Sequence, residues 1–319
     1  MMSRNTYLIS GAAALVVFGG GLMFWQMPSG DSTPDEPVRV LTLPAKPQAV
    51  LPAAAPQPNA PEPAFSDLTL RYRNAKDFRI FMQYLKQHPE QGGSYYAIQV
   101  RSICSSDALQ KQSALPFIEK FRDNYAQRAA DFSRLKTLCQ SFSPQELEMQ
   151  KFQQDYADVF KKDQLLKLFN QTTKPGQSPV SEADRIAFKK ALLESSDAVF
   201  HQSMGQLLNS NRTADGKREY WINGTRITPE DKAAYFDMLT AFGTVGYELG
   251  LAADGTDPVS MIFCIESNMC FRNPDEFVRM AYQRENPQLG EDRIQRAIQW
   301  RKQIGAAILA KDVAFFLPR

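Results

Sequence analysis

Hydrophobic and polar positions divide the chain into three stretches of different character. Residues 7–27 carry no charged side chain and have an apolar centre at residues 15–18. A transmembrane helix needs about 20 apolar residues, so this stretch is long enough to span a bilayer. Trp25 lies where an aromatic residue of the membrane interface is expected. The pattern predicts a single transmembrane anchor at residues 7–27, preceded by a short cytoplasmic N-terminus at residues 1–6.

A cleavable signal peptide is the alternative for the same stretch. Such a peptide ends in small residues, whereas residues 23–28 read Met-Phe-Trp-Gln-Met-Pro, so we favour an uncleaved anchor. Arg4 precedes the stretch, and Asp31, Asp35 and Glu36 follow it. The positive-inside rule then keeps the N-terminus in the cytoplasm. We expect a single-pass protein of a bacterial inner membrane with a periplasmic C-terminal domain.

Residues 28–64 are predicted to form a proline-rich linker. They contain half of the 20 prolines of the chain, one glycine (Gly30) and no aromatic residue. This composition cannot bury enough apolar surface to fold, and it favours extended polyproline geometry. We expect a spacer between the anchor and a folded domain.

Residues 65–319 have the pattern of a soluble all-α domain. Apolar residues recur at helical spacing on four faces: Phe78, Phe81, Met82 and Leu85; Phe152, Tyr156, Val159, Leu166 and Phe169; Ile186, Leu193, Val199, Phe200 and Leu207; and Ile294, Ala297, Ile298, Ile304 and Ile308. About 250 residues can bury a sizeable core. That core could be one domain, or two closely packed ones with a boundary near residues 172–180.

Four patterns mark helix starts within this domain. Ser143, Ser181, Thr228 and Asn273 are each followed three residues later by an acidic side chain. Serine, threonine and asparagine side chains accept hydrogen bonds from free amides of the first helical turn, and the acidic residue completes a capping box. Each of the four residues is therefore predicted to cap a helix.

One segment has a β signal instead. Asn223-Gly224 is the strongest two-residue hairpin turn, and it is flanked by residues 220–222 and 225–227, which are rich in β-forming side chains. The sequence predicts one small β-hairpin packed against the helices, with Trp221 or Ile222 pointing inward.

All four cysteines lie beyond the linker: Cys104, Cys139, Cys264 and Cys270. An even number of cysteines in an exported domain predicts two disulfides, and three pairings are open. We favour Cys104–Cys139, which would join neighbouring helices, and Cys264–Cys270, which would close a short loop. The alternative is four buried free thiols, as in a cytosolic protein.

Composition and charge argue against several classes of function. A net charge of +2, with 23% charged and 43% hydrophobic residues, gives no argument for nucleic-acid binding. No Cys-x-x-Cys pair occurs, and only His88 and His201 could assist the cysteines in a zinc site. We expect no metal, no cofactor and no nucleic-acid partner.

Glu266 is the first candidate for a catalytic residue. It precedes Ser267 at the end of an apolar run that predicts a helix. This Glu-Ser pair resembles the acid residue of lysozyme-like lytic transglycosylases, although the downstream glycine-rich motif of that family is absent. The resemblance implies a partly desolvated glutamate with a raised pKa that protonates a glycosidic oxygen. The structural alternative is a helix-terminal glutamate beside a disulfide.

Glu248 is the second candidate, because it interrupts the apolar region at residues 238–253. Buried carboxylates are sometimes catalytic, but they more often pair with a lysine or arginine. Gly243, Gly246 and Gly250 in the same region indicate close helix packing, and the region is too short for a second membrane span.

Two sets of polar residues are interpreted as solvent-exposed helix faces. Asp197 and His201 could be half of a catalytic triad, but they continue a polar stripe that starts at Lys190 and Glu194. The second set makes the last long helix basic and consists of Arg293, Arg296, Arg301 and Lys302. We expect both sets to face solvent, although the basic set could also contact an acidic partner.

These features favour a binding or scaffolding module over an enzyme. The leading hypothesis is an extracytoplasmic helical protein, anchored through residues 7–27, that binds another envelope protein or the cell wall. The alternative is a peptidoglycan-cleaving enzyme that uses Glu266 as general acid.

Overall fold

The computed structural model describes residues 65–110, 123–172, 181–212, 217–285 and 290–318, and this part of the chain is mostly helical, as predicted. The α-helices are α1 Asp67–Arg73, α2 Phe78–Gln87, α3 Ser94–Cys104, α4 Asp107–Gln110, α5 Tyr125–Cys139, α6 Met149–Asp155, α7 Ala157–Lys162, α8 Gln164–Thr172, α9 Glu182–Leu193, α10 Ala198–Met204, α11 Gln206–Asn209, α12 Lys232–Gly243, α13 Pro258–Ser267, α14 Pro274–Glu285 and α15 Glu291–Leu309. Short 3-10 helices cover Pro89–Gln91, Pro144–Leu147, Val245–Tyr247 and Val313–Phe316.

Several predicted segments lie outside the described residues. They are the N-terminus at 1–6, the anchor at 7–27, the linker at 28–64 and most of the sub-boundary near 172–180. Of the helices that the structure describes, none is both long and apolar enough to cross a bilayer. The anchor, the linker and the boundary therefore stay predictions.

Three of the four predicted helix caps are confirmed by their hydrogen bonds. Ser181 Oγ and Asn273 Oδ1 accept from the amide three residues later, at 3.1 and 2.8 Å. Ser143 accepts the same bond at 3.4 Å and forms a full capping box, but it opens a 3-10 helix. The prediction for Thr228 is wrong, because α12 starts later and is capped by the carboxylate of Asp231.

The predicted helical face from residue 152 to 169 is broken into α6, α7 and α8. The second break is at Asp163, whose buried carboxylate accepts hydrogen bonds from the amides of Leu166 (3.0 Å) and Ser94 (2.9 Å). One side chain thus caps the starts of both α8 and α3. This use of its two oxygens explains why the chain turns there instead of continuing one helix.

The predicted hairpin is confirmed and is part of a larger sheet. Strands β2 (Arg218–Ile222) and β3 (Thr225–Ile227) pair antiparallel, and Ile222 is buried. A third strand, β1 (Ser210–Arg212), pairs antiparallel with β2 and places Ser210 opposite Tyr220. The sequence did not predict β1 because Ser-Asn-Arg has no alternation of apolar and polar residues.

Buried side chains form two clusters. The larger extends from Leu68 in α1 to Phe316 near the C-terminus. The smaller lies where α15 packs along α12 and α14, and consists of Phe236, Val278, Tyr282, Ile294, Ala297 and Ile298. The predicted apolar face of α15 is confirmed, because all five of its residues are buried.

Both favoured disulfides are present. Cys104–Cys139 joins the ends of α3 and α5, and Cys264–Cys270 closes the loop after α13, with Cα–Cα distances of 5.5 and 4.2 Å. Arg128 of α5 also holds the end of α13, since its guanidinium donates to the carbonyl oxygens of Cys264 (3.0 Å) and Ile265. The packing of α13 against α5 is therefore reinforced by these hydrogen bonds, whereas the disulfides join α3 to α5 and α13 to the loop that follows it.

Candidate functional site

An open cavity of about 450 Å³ lies beside the loop that connects α12 to α13. The residues that line it are the aromatic Phe65 and Tyr247, the small or apolar residues Gly250, Leu251, Ala252 and Ala253, and the charged residues Arg73, Asp254 and Arg272. These residues come from four separate parts of the chain. The cavity combines an apolar wall with a charged rim, which is the usual composition of a ligand site.

The loop wall of the cavity depends on a glycine. Gly250 has a φ of +106°, and a Cβ atom there would lie 2.7 Å from the ring of Phe65. Only glycine adopts this backbone conformation at low cost, and only glycine leaves room for the ring. Gly246 similarly allows close packing, because a Cβ atom there would lie 3.2 Å from the carbonyl oxygen of Ala198 in α10.

A buried carboxylate lies behind Tyr247. Asp257 caps α13, and its Oδ1 accepts from the amides of Val259 (3.0 Å) and Ser260 (3.2 Å). Its Oδ2 accepts from the hydroxyls of Ser260 and Tyr247, the latter at 3.3 Å. No lysine or arginine of the described ranges forms an ion pair with it, and burial raises the pKa of Asp257. The network fixes the position of the half-buried Tyr247 at the cavity.

A second carboxylate lies near Asp257. Asp131 of α5 is half-buried, and its Oδ2 has no hydrogen-bond partner in the described part of the chain. Burial raises the pKa of Asp131 to about 6; Arg134 lowers it, and the negative charge of Asp257 raises it further. The charge of Asp257 therefore acts on Asp131, and neither carboxylate forms an ion pair with an arginine of the described ranges.

Two exposed arginine side chains lie at the rim of the cavity. Arg73 ends α1, Arg272 precedes α14, and both are exposed. Neither guanidinium forms an ion pair with any residue that the structure describes. The carboxylate of Asp254, which lines the same cavity, accepts hydrogen bonds from the amide and the hydroxyl of Thr256 at 3.0 and 2.5 Å. The rim therefore presents two cations and one anion.

Glu248 does not line this cavity. Its Oε1 accepts a hydrogen bond of 2.8 Å from Arg301, which also binds Asp275 and is 2% exposed. Gly305 of α15 makes room for Glu248, because a Cβ atom there would lie 2.5 Å from the Glu248 Cβ. The contacts of Glu248 link the Val245–Tyr247 turn to α14 and α15.

Glu266 is also separate from the cavity. It is half-buried in the last turn of α13 and faces the start of α4. Burial raises the pKa of Glu266, a hydrogen bond from the amide of Ala108 lowers it, and the charge of Asp107 raises it; the net shift is upward. The hydroxyl of Ser267 is buried and has no partner among the described residues.

The prediction that Asp197 and His201 face solvent is wrong, because both are buried. The helix expected to carry them stops at Leu193, and Asp197 caps the next one, accepting from the amide of Phe200 at 2.8 Å. His201 Nε2 lies 2.6 Å from the carbonyl oxygen of Ser195, so the ring is used to bind backbone. Burial lowers the pKa of His201 to about 4 and raises that of Asp197 to about 6.

The prediction of a basic solvent face on α15 is wrong for most of its members. Arg293 and Arg296 both pair with the buried Asp237 of α12, the former at 2.7 Å. Arg301 is buried between Glu248 and Asp275. The positive charges of α15 are directed at carboxylates of neighbouring elements, and this bonding could not be seen from one helix alone. Lys302 stays largely exposed.

Sequence reasoning did not identify the cavity residues Arg73, Tyr247, Asp254 and Arg272. Two of them are single exposed arginines, which carry no local signal. One clue was present: Asp257-Pro258 pairs a capping side chain with a proline at the first helical position, as Ser143-Pro144 and Asn273-Pro274 do, and it marks the buried carboxylate. Among the described residues, no cluster of three or more His, Cys, Asp or Glu side chains is arranged to hold a metal ion.

No protein-family model matches the chain, and no curated protein or solved structure is detectably similar to it. Function is therefore argued from the geometry and the charge of the site.

Proposed function

We propose that the chain is an extracytoplasmic binding module, anchored in a bacterial inner membrane, whose binding site is the cavity lined by Phe65 and Tyr247. The observation that carries this proposal is the pair of exposed guanidiniums, Arg73 and Arg272, that share one cavity without an ion-pair partner in the described ranges. Convergent polar groups beside an apolar wall are typical of binding sites. The partner in this proposal is another envelope protein or the cell wall.

The two disulfides support an oxidising compartment. The sequence adds the predicted anchor at 7–27 and the linker at 28–64, which ends directly before Phe65. In this arrangement the linker reaches the folded part of the chain beside the cavity.

A binding role fits the chemistry of the cavity better than a nucleophilic reaction. The hydroxyl of Ser260 is buried and donates to the carboxylate of Asp257. Neither histidine contacts it, since His201 binds the Ser195 carbonyl and His88 packs against the ring of Tyr84. A serine nucleophile is ordinarily activated by a histidine that a third group orients, and no histidine of the described ranges contacts this hydroxyl.

Co-sedimentation with purified peptidoglycan sacculi tests the proposal. The full-length chain, purified in a mild detergent, is expected to pellet with sacculi, and the double variant Arg73→Gln/Arg272→Gln is expected to remain in the supernatant. Lys161→Gln/Lys162→Gln is the matched control, because both lysines are exposed and it removes the same charge elsewhere. Equal pelleting of the two double variants would assign binding to another surface. If nothing pellets, photo-crosslinking from position 253 in cells tests for an envelope protein, and absence of any adduct would refute the proposal.

A second candidate function is cleavage of peptidoglycan with Glu266 as general acid. Half-burial of the carboxylate favours it, because burial shifts the pKa of Glu266 upward, which is the direction that a general acid requires. Zymography on cell-wall substrate tests this function. Clearing by the wild type that is lost in folded Glu266→Gln, and kept in the exposed-site control Glu182→Gln, would support an enzyme.

A further inference from the structure

The charges at the cavity rim point to a ligand class: we infer that the cavity recognises the free carboxylate end of a short peptide. This inference rests on the proposed function and deepens it. A guanidinium presents a planar fork of N–H donors that matches a carboxylate, and such charge-assisted pairs are stronger than neutral hydrogen bonds. Arg73 and Arg272 have these donors available, because neither forms an ion pair within the described ranges.

Asp254 argues against a phosphate-like dianion. Its carboxylate lines the same cavity as the two arginines, so the rim carries one net positive charge rather than two. A like charge close to a dianion costs binding energy, whereas a single carboxylate is balanced by the rim. Asp254 can also accept from an ammonium or amide N–H of the ligand. A peptide end supplies both groups, a carboxylate and N–H donors.

The apolar wall limits the size of the side chains that a bound peptide can have. Leu251, Ala252 and Ala253 form a surface with no side-chain polar atoms, and Phe65 covers Gly250 beside it. The volume of about 450 Å³ lies at the small end of the range for small-molecule sites, roughly 300–1,000 Å³. The cavity therefore accommodates a few residues with small side chains, such as alanine, rather than the surface of a folded protein.

Part of the site is held in place by contacts within the protein. The hydroxyl of Tyr247 donates to Asp257 at 3.3 Å and lies 2.8 Å from that of Ser260, which fixes the ring. Gly250 places its backbone against Phe65. A preformed wall lowers the ordering cost of binding, so two arginine contacts can give measurable affinity for a small ligand.

Isothermal titration of the full-length chain tests the inference with defined probes. Tri-L-alanine with a free carboxylate is expected to bind at least about tenfold more tightly than its C-terminal amide, because the amide loses a charge-assisted contact. Arg73→Gln and Arg272→Gln are each expected to weaken the free acid by about tenfold. Lys161→Gln, the control, is expected to leave its affinity unchanged.

The source of the peptide end is distinguished by a second probe. The stem tripeptide L-Ala-γ-D-Glu-meso-diaminopimelate represents the cell wall, and tri-L-alanine represents the C-terminus of a protein; the tighter binder identifies the source. Asp254→Asn is expected to bind inorganic phosphate more tightly than the wild type does. It is also expected to weaken the binding of tri-L-alanine more than that of N-acetylated tri-L-alanine, which has no ammonium group. Asparagine keeps the acceptor for Thr256, so the loop is retained.

Three results would overturn the inference: equal affinity for the acid and the amide, tighter binding of inorganic phosphate than of either peptide by the wild type, or no heat with any peptide. If sacculi still retain the wild type but not the double arginine variant, the proposed function stands and only the ligand class is wrong. If sacculi and crosslinking also fail, both proposals fail.

Discussion

Two buried aspartates show two different ways of holding a carboxylate in this fold. Asp237 is 0% exposed and Asp257 is 3% exposed. Asp237 accepts from two guanidiniums, of Arg293 and Arg296, and from the hydroxyl of Tyr282. Asp257 accepts from two amides and two hydroxyls, and from no cation of the described ranges. Both have their hydrogen-bonding needs met, but within the described ranges cations balance the charge of Asp237 and not that of Asp257.

This difference distinguishes arginines that hold neighbouring helices together from arginines that stay exposed at the cavity. Around Asp237 the arginines of α15 are used to join α12 to α14 and α15. Around Asp257 the hydrogen bonds come from neutral amides and hydroxyls, and the arginines at the nearby cavity, Arg73 and Arg272, stay exposed. A count of basic residues along the sequence would favour α15 as the binding surface, whereas the contacts favour the cavity.

The largest expected effect is the loss of the Asp237 charge. Asp237→Asn leaves two guanidiniums facing a neutral amide, and breaking a buried ion pair in this way costs about 3 kcal/mol of unfolding free energy, at the low end because Arg296 is partly exposed. Urea unfolding of the full-length protein, followed by far-UV circular dichroism, measures the loss. The control Asp158→Asn, at an exposed position, is expected to change it by less than about 0.5 kcal/mol. A loss no larger than in this control would show that the Asp237 cluster contributes little to stability.

A smaller effect is expected on the cavity side, from Gly250→Ala. The φ of +106° is strained for alanine, and the added Cβ would lie 2.7 Å from the Phe65 ring. We expect a loss of about 2 kcal/mol, because backbone strain and displacement of the ring add. The thermal midpoint reports the loss, and Ala253→Gly, an exposed neighbour, serves as the comparison. Unchanged stability would mean that Phe65 does not rest on this loop.

Local patterns predicted much of the fold. Three caps, the Asn223-Gly224 turn and the pairing Cys264–Cys270 depend on residues close in sequence, and the structure contains all of them. The errors at Asp163 and Asp197 have one cause. Both aspartates lie within apparently continuous helical patterns, and their side chains accept amides instead, including the Ser94 amide, which is 69 positions away from Asp163. A periodic pattern reports neither the local cap at Asp197 nor the distant partner of Asp163.

The candidate site was much less predictable than the fold. Phe65, Arg73, Tyr247 and Arg272 are brought together by packing of α1, the loop after α12 and the start of α14. None of them stands in a motif, and an exposed arginine has no sequence signal that separates it from a paired one. The two carboxylates selected from the sequence, Glu248 and Glu266, were chosen because they interrupt or end apolar runs. That signal marks partial burial, and it does not mark a cavity.

A third prediction concerns pH. Burial raises the pKa of Asp257 above its ordinary value of 3.8, so its ionisation favours the unfolded chain, and this cost appears as pH rises above that value. Asp257→Asn keeps the cap but cannot ionise. We expect its unfolding free energy, relative to wild type, to increase as the pH rises from 4 to 7.

Urea unfolding of the wild type and of Asp257→Asn across this pH range measures the difference in unfolding free energy. The contribution of Asp197 to the pH dependence cancels, because Asp197 titrates in both proteins. Asp131 serves as a second reporter: its pKa of about 6 is expected to fall in Asp257→Asn, since the charge of Asp257 raises it. A relative stability that is flat or falls with pH would mean that Asp257 has a charge partner that the contacts do not reveal.

The smallest expected effect on stability is that of the cavity arginines, and it can be compared directly with that of an arginine of α15. Arg73→Gln and Arg272→Gln are each expected to change the unfolding free energy by less than about 0.5 kcal/mol, because an exposed arginine without an ion pair contributes little to folding. Arg293→Gln, which removes contacts to Asp237 and to the Ala233 carbonyl, is expected to cost about 1–2 kcal/mol in the same urea titration. The three substitutions remove the same charge and the same guanidinium, so the difference reports only what each arginine contacts. If the cavity variants lose as much stability as Arg293→Gln, Arg73 and Arg272 are structural, and the cavity has no uncommitted cations to offer a ligand.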